Sequence, residues 1–362
     1  MGLVRIFLAL VVATAHFQQM VSIPNHFAVI SPLFTLGFHS AYAVLFFYVI
    51  SGFLITFALT EHYVGRPDGT AKFYKARFIR IFSLYWPLVI CAMILMPTAT
   101  QDFFSGSMLD KFTNIFLLGA DWNLDFGNYP QFDTNSVPTG LHPAWTLGAE
   151  MTFYLLAPFL VRHWRIVAGL FVASLLLRGA LVFHLGTRIV ERWTYYFAPA
   201  TFLFFLGGQG ICLLSRHHAW LKDHRFGCGL MAGAFLIMLV TPDTGFDIRR
   251  LWISIACFTA GLPGFFDATK NIRWMNVLGN LSYPIYLVHP MAALLVAPPI
   301  YYEFVRLGLN SQPYLVPMLV TFLLASTLLG LLAHLVVEQP VAAVMKAVLT
   351  GPRRPRPRDA PV

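Results

Sequence analysis

Long apolar runs with almost no charge to interrupt them set the first limit on this chain. Only 11% of its 362 residues are Asp, Glu, Lys or Arg, while 57% are apolar and 15% aromatic. A water-soluble domain is about a quarter charged, so these few charges cannot cover the surface of a soluble globule of this length. A disordered chain is excluded as well, because it would be poor in apolar and aromatic residues. What remains is a helical protein that crosses a membrane several times. The net charge of +9 needs no nucleic-acid partner, since membrane proteins collect Lys and Arg on their cytoplasmic side.

A stretch of about 17 to 25 apolar residues crosses a bilayer. Ten such stretches are predicted: 2–22, 38–60, 81–99, 144–161, 166–184, 196–214, 226–242, 250–267, 281–300 and 315–337. With the N-terminus in the cytoplasm, the inner segments hold most of the cations. Among them are Arg5, Lys75, Arg77, Arg80, Arg162, Arg165, Arg216, Lys222, Lys270 and Arg273. The outer segments hold Lys111, Arg188, Arg192, Arg249, Arg250 and Arg306. This bias predicts an all-α bundle of about ten transmembrane helices with both termini cytoplasmic. Residues 1–340 form the membrane domain in this reading, and 341–362 a Pro/Arg-rich cytoplasmic tail expected to be disordered. Ala13-Thr14-Ala15 resembles a signal-peptidase site, but a first transmembrane helix fits a chain that is equally apolar elsewhere. Cys91, Cys212, Cys228 and Cys257 have no C-x-x-C spacing, so buried thiols are expected rather than disulfides or a zinc site.

The outer segment 100–143 carries Asp102, Asp110, Asp121, Asp125 and Asp133 with Phe103, Phe104, Trp122, Tyr129 and Phe132. Aromatic faces beside carboxylates suit sugar binding. They equally suit an interfacial aromatic belt next to a solvated loop.

Ionisable groups inside a membrane helix are costly, so each is a candidate functional residue. Arg5 and His16 are eleven positions apart, which puts them within about 20° on one helix face and roughly 16 Å apart along the axis. Imidazole is the usual group for taking a proton near neutral pH; a histidine that only bonds neighbouring helices is the plainer alternative. Glu150 starts near the same end as His16 and is a candidate to orient its ring, or to pair with Arg178. Arg77 and Arg80, at i and i+3, share a face and suit bidentate grip of phosphate, or simple anchoring at the cytoplasmic surface. Ser282, Tyr286 and His289 share another face. Glu338 lies near the cytoplasmic exit, where an Arg is its expected partner. There is no Walker A loop, Rossmann glycine pattern, H-E-x-x-H or G-x-S-x-G, and the G-G-x-G at Gly207–Gly210 is too short to carry meaning.

Taken together, these segments resemble the acyltransferase 3 family of integral-membrane acyltransferases. The resemblance rests on Arg5 and His16 as R-x10-H; on residues 46–55 with Ser51, Gly52 and Phe53; and on Arg77-x-x-Arg80 with Tyr85 and Trp86. It continues through Trp145-x-Leu-x-x-Glu150-x-x-Phe-Tyr154, Ser282-Tyr283-x-x-Tyr286-Leu-x-His289 and Glu338-x-Pro340. The motifs follow in order from residue 5 to residue 340. The family often has Pro where Ser83 stands and a second acidic residue where Met151 stands. The chain ends soon after the last span, so the secreted esterase-like domain of some members is not expected.

The resemblance implies transfer of a short acyl group, usually acetyl, from acyl-CoA to a hydroxyl of a carbohydrate such as an exported polysaccharide or its lipid-linked precursor. It implies no metal, and a place in the inner membrane of a bacterium among its lipids. The family's functional residues map to Arg5, His16, Arg77 and Arg80. On this basis the phosphates of acetyl-CoA dock on Arg77 and Arg80, with Arg5 as a further cation. His16 serves as general base, and Glu150 orients it. Ser51, Trp145, Tyr154, Ser282, Tyr286, His289 and Glu338 line or support the cavity. A proton-coupled transporter using His16, Glu150 and His289 is the rival reading.

Overall fold

The structure is a computed structural model and describes residues 1–21, 40–95, 101, 104–122, 144–185, 192–239, 248–307 and 315–350. Among the described residues there is no strand. The main helices are α1 (Gly2–Val21), α2 (Ser40–Ala58), α3 (Gly69–Leu95), α4 (Met108–Phe116), α5 (Trp145–Leu160), α6 (Trp164–Leu185), α7 (Ala198–Leu214), α8 (His224–Leu239), α9 (Ile248–Thr269), α10 (Arg273–Leu307), α11 (Leu315–Leu332) and α12 (Gln339–Thr350). Among the described residues, six helical stretches are long and apolar enough to cross a membrane. They are Tyr42–Tyr63, Gly69–Leu95, Trp164–His184, Trp193–Leu214, Arg249–Thr269 and Val316–Leu349. Gly2–Phe17 and His224–Leu239 are shorter apolar helices.

Three boundaries differ from the sequence reading. Helix α3 begins at Gly69 rather than 81, and α10 at Arg273 rather than 281. A hydropathy window stops at the first cations, but Lys and Arg are good helix formers and let a span continue past the apolar layer. Residues 341–350, assigned above to a disordered tail, are helical in α12. Met345 packs on the core and the Lys75 ammonium donates to the Leu349 carbonyl at 2.8 Å, which ties α12 to α3. Residues 351–362 lie outside the described residues.

Packed pairs sort the helices into two opposed sets. Helices α1 and α10 are parallel: Gly2 abuts Met275 and Gly279, and His16 meets His289. Helices α2 and α7 are parallel, with Tyr48 stacked on Phe205 and Thr60 at Arg216. Helix α9 follows the same direction, with Phe46 on Phe258 and Phe57 on Phe266, as does α5, with Trp145 at Tyr195 and Phe153 at Phe205. Opposed to these run α6, through Ser174 at Leu203 and Arg178 at Ala200, and α8, through Ala234 at Ser254. Met1, Arg80, Arg216, Lys222 and Lys270 therefore gather at one end, the basic end of the bundle. There Arg216 pairs with Glu61 at 2.6 Å, and the Met1 amine donates to Thr269 at 2.7 Å.

Lipid tails are as apolar as Leu, so close packing rather than hydrophobic burial holds such helices together. Glycines permit the closest approaches. A methyl added at Gly52 would overlap the Phe205 carbonyl, and one at Gly208 the Val49 carbonyl. Gly227 and Gly264 make the same kind of backbone contact between α8 and α9.

At the far end, α4 lies across α3. The Tyr85 hydroxyl donates to the Asn114 carbonyl at 2.6 Å and the Trp86 indole to Ile115 at 2.8 Å. Two carboxylates considered above for sugar binding serve packing. Asp110 completes a capping box with Ser107. Asp121 is fully buried against Gly148. Burial pushes the Asp121 carboxyl up to about 7, although the backbone N–H groups of Asp121, Ala198 and Trp122 oppose the shift. Phe104 and Trp122 stay exposed, whereas Asp102, Phe103, Asp125, Tyr129, Phe132 and Asp133 lie outside the described residues.

Two outcomes follow from this packing. Gly52→Ala should lower the melting temperature of the detergent-solubilised protein sharply, whereas Gly210→Ala, whose methyl meets nothing within 4 Å, should leave it unchanged. The second outcome concerns pH. The folded-state value of Asp121 lies above the ordinary 3.8, so the fold disfavours the ionised form. Its contribution is fully present below about pH 4 and is lost as pH rises through about 7. Melting temperature should fall across that window, and Asp121→Asn should flatten the slope; identical slopes would refute the burial of an ionisable group there.

Candidate active site

A cavity of about 180 Å³ opens between α1, α2, α3, α5 and α10. Arg5, Ser51, Arg77, Arg80, Glu150, Tyr154, Ser282 and Tyr286, all candidates from the sequence, line it. So do Tyr48, Thr146 and Tyr283, which were not among the candidate site residues, although Tyr283 belongs to the Ser282-Tyr283-x-x-Tyr286 motif and Tyr48 to the segment 46–55. The helical periods explain the convergence. Arg77 and Arg80 share one face of α3, and Ser282 and Tyr286 one face of α10, and both faces turn inward.

The cavity is polarised along its length. Near the basic end, Arg5 stands within electrostatic reach of Arg77, Arg80 and Glu150. Arg80 is paired with Glu338, and its guanidinium lies over the Tyr283 ring, 5.1 Å from the centroid. The other oxygen of Glu338, a residue only 4% exposed, is 2.6 Å from Nδ1 of His334. His334 and Glu338 belong to a π-helical turn, Ala333–Glu338, at the end of α11; such turns often mark functional positions. His334 was legible only as an i, i+4 partner of Glu338. Arg77 is engaged differently. Its Nε is buried with no hydrogen-bond partner among the described residues, and its guanidinium leans over Phe73.

Glu150 sits at mid-cavity. Its two oxygens accept from the Ser51 hydroxyl at 2.7 Å and the Tyr154 hydroxyl at 2.9 Å. The sequence reading aimed Glu150 at His16, or else at Arg178. Arg178 instead donates to the Thr194 carbonyl between α6 and α7. The group found against His16 is His289, with Nδ1 of His16 2.7 Å from Nε2 of His289 and the ring planes 11° apart. Ring pairing thus takes the place expected for a carboxylate, because α1 and α10 are parallel and in register, whereas Glu150 is held at mid-cavity by Ser51 and Tyr154.

Tyr286 joins the two regions. Its hydroxyl is 2.9 Å from Thr146 Oγ1 inside the cavity, and its ring centroid is 6.0 Å from that of the fully buried His289. Ser282 lines the cavity, but its hydroxyl donates to Gly279 of its own helix. The Tyr48 hydroxyl, buried in the same wall, has no hydrogen-bond partner among the described residues. Trp145 stands outside the lining and packs on Tyr195 and Tyr196. No group of three or more His, Cys, Asp or Glu able to hold a metal occurs among the described residues, and the four cysteines are free thiols. Chemically, the arrangement offers cations for a polyanion in the cavity, and an imidazole pair, His16 with His289, that stands outside the cavity lining on the far side of Tyr286.

Comparison with known proteins places the chain among acyltransferases. The acyltransferase domain family profile matches residues 1–335, a range that takes in every candidate residue except Glu338. The chain is 28% identical over 278 residues to nodulation protein 10 of Rhizobium leguminosarum bv. viciae, covering 69% of this chain and 71% of that one. It is 25% identical over 324 residues to the exopolysaccharide production protein ExoZ of Rhizobium meliloti (strain 1021), covering 85% and 90%. A shorter match, 27% over 157 residues, links it to the peptidoglycan O-acetyltransferase OatA of Listeria monocytogenes, covering 43% of this chain and 24% of that protein. No solved structure matches this chain significantly.

The buried carboxylate at the rim gives a direct test of the geometry. Glu338→Ala leaves Arg80 and His334 without their shared acceptor and should cost about 2 kcal/mol of stability. Glu338→Gln, which keeps hydrogen bonding, should cost less. Equal melting temperatures for all three proteins in detergent would mean that the Arg80–Glu338–His334 bridge does not form.

Proposed function

We propose a reaction for this chain, which belongs to the acyltransferase 3 family and is an integral-membrane O-acyltransferase: transfer of an acetyl group from acetyl-CoA to a hydroxyl of an exported polysaccharide or its lipid-linked precursor. The observation that carries the donor assignment is the convergence of Arg5, Arg77 and Arg80 on one cavity in which the Arg77 Nε has no hydrogen-bond partner among the described residues. Guanidinium groups match phosphate geometry, and acyl-CoA presents phosphates at one end and a thioester at the other. The acceptor assignment draws on the relatives, whose names speak of exopolysaccharide and of peptidoglycan O-acetylation.

Arg77 and Arg80 hold the donor's phosphates, and Arg5 faces them from α1. From Arg5 to His16 the helix rises roughly 16 Å, about half the hydrocarbon thickness of a bilayer and within reach of a pantetheine arm. His16 takes the proton of the sugar hydroxyl as its oxygen attacks the thioester carbonyl carbon. The new C–O bond forms, the C–S bond breaks, and the proton passes on to the departing CoA thiolate. If Nδ1–H of His16 donates to Nε2 of His289, the basic lone pair of His16 lies on Nε2, and His289 shares the positive charge that develops. Glu150, fixed by Ser51 and Tyr154, balances the arginines. The hydroxyls of Tyr48, Thr146 and Tyr286 are placed to meet the thioester oxygen or the acceptor.

The alternation of helix direction from α1 through α11, leaving aside the peripheral α4, supports ten crossings with both ends in the cytoplasm. The cations at the basic end support that orientation, in the inner membrane of a bacterium.

Incubation of membranes with radiolabelled acetyl-CoA tests the assignment. His16→Ala should insert normally yet lower label in carbohydrate by about 10²–10⁴-fold; full labelling would remove His16 from catalysis. Arg77→Ala with Arg80→Ala should raise KM for acetyl-CoA more than it lowers kcat, and an unchanged dependence on acetyl-CoA would refute the phosphate site.

A further inference from the structure

The run Gly207-Gly208-Gln209-Gly210 serves two faces of α7. Gly208 faces α2, where there is no room for a side chain. Gly207 and Gly210 face the other way. A methyl at Gly210 would meet nothing within 4 Å, and one at Gly207 would reach only the Phe171 ring, at 3.7 Å. The absent side chains leave a groove of about 560 Å³ between α6 and α7. Trp164, Val167, Phe171, Leu206 and Leu214 form its walls. It shares no lining residue with the active-site cavity.

The groove is apolar along its length and cationic at one mouth. Arg162, in the turn between α5 and α6, and His217, in the turn after α7, both line it at the basic end of the bundle. Arg165 lies beside them, 5.7 Å from the Trp164 ring. No carboxylate lines the groove. Trp164, 66% exposed, sits at the start of α6, the level at which tryptophans anchor helices to the membrane interface.

We propose that this groove binds an anionic phospholipid, with one acyl chain lying over Gly207 and Gly210 and the phosphate held by Arg162 and His217. Charge complementarity selects this occupant. Basic pockets at the ends of transmembrane helices favour anionic headgroups, at about 1 kcal/mol per cation near the surface. A second copy of this chain in the same membrane would bring its own basic end, with Arg216, Lys222 and Lys270, to the same depth and meet Arg162 with like charge. A zwitterionic lipid would fill the groove but bring its own cation to the mouth.

Native mass spectrometry of the full chain released from micelles tests this, with phosphatidylglycerol and phosphatidylcholine offered in equal amounts. The wild type should retain one phosphatidylglycerol in preference to phosphatidylcholine. Arg162→Ala, at an exposed position, should lower that occupancy roughly fivefold, and His217→Ala, which removes a hydrogen-bonding ring at the same mouth, should lower it less. Gly210→Leu, which fills open space, should abolish it for both lipids, with an unchanged melting temperature in lipid-free detergent. Equal retention of the two lipids, or unchanged phosphatidylglycerol occupancy in Arg162→Ala and Gly210→Leu, would overturn the proposal. So would a dimer that Gly210→Leu dissociates without any change in bound lipid.

Discussion

Five ionised side chains, Arg5, Arg77, Arg80, Glu150 and Glu338, share one end of an otherwise apolar bundle, and the rest of the structure answers the cost of keeping them there. A charge away from water is tolerated only when it is paired and hydrogen-bonded. Glu338 therefore bridges Arg80 and His334, and Glu150 takes hydroxyls from Ser51 and Tyr154. Ser51 ties α2 to α5 through Glu150, and Arg80 ties α3 to the turn after α11 through Glu338, while Tyr154 and His334 steady each carboxylate from its own element. The sum of three cations and two anions leaves that end of the bundle receptive to an anion.

Packing does the complementary work. In lipid there is no water to drive apolar faces together, so helices associate where backbones can touch. Gly52 and Gly208 set α2 against α7, and Gly2 and Gly279 set α1 against α10. The second contact matters for chemistry. It locks two parallel helices in a register that carries His16 to His289 while keeping Arg5 in the cavity wall. One helix thus carries Arg5 in the cavity wall and His16 beside His289.

Much of the outline was legible in the sequence because membrane helices obey local rules. Apolar runs longer than the bilayer located most of the helices, and of the residues named by the R-x10-H, R-x-x-R and Glu150 patterns, Arg5, Arg77, Arg80 and Glu150 line one cavity whereas His16 stands outside its lining. Errors arose where a local rule met a competing one. The cations before residue 81 ended a hydropathy window without ending α3. The apolar positions Val341, Val344, Met345 and Val348 extended a helix into what composition marked as a tail. Asp110 and Asp121 lie in a segment that suited sugar binding and an interfacial loop equally, and the structure adds a capping box at the first and a close contact with Gly148 at the second.

Composition and spacing alone determined that the chain is a helical membrane protein, which helices carry its charges, and which charges share a face. Those are one-dimensional facts, fixed by the period of the helix and the thickness of the bilayer. Only the tertiary structure decided partners. It gave His16 a histidine rather than Glu150, gave Glu338 both Arg80 and His334, and opened one side of α7 as a groove while closing the other with glycine. Partners depend on register and direction between helices far apart in the chain, and no single helix carries that information.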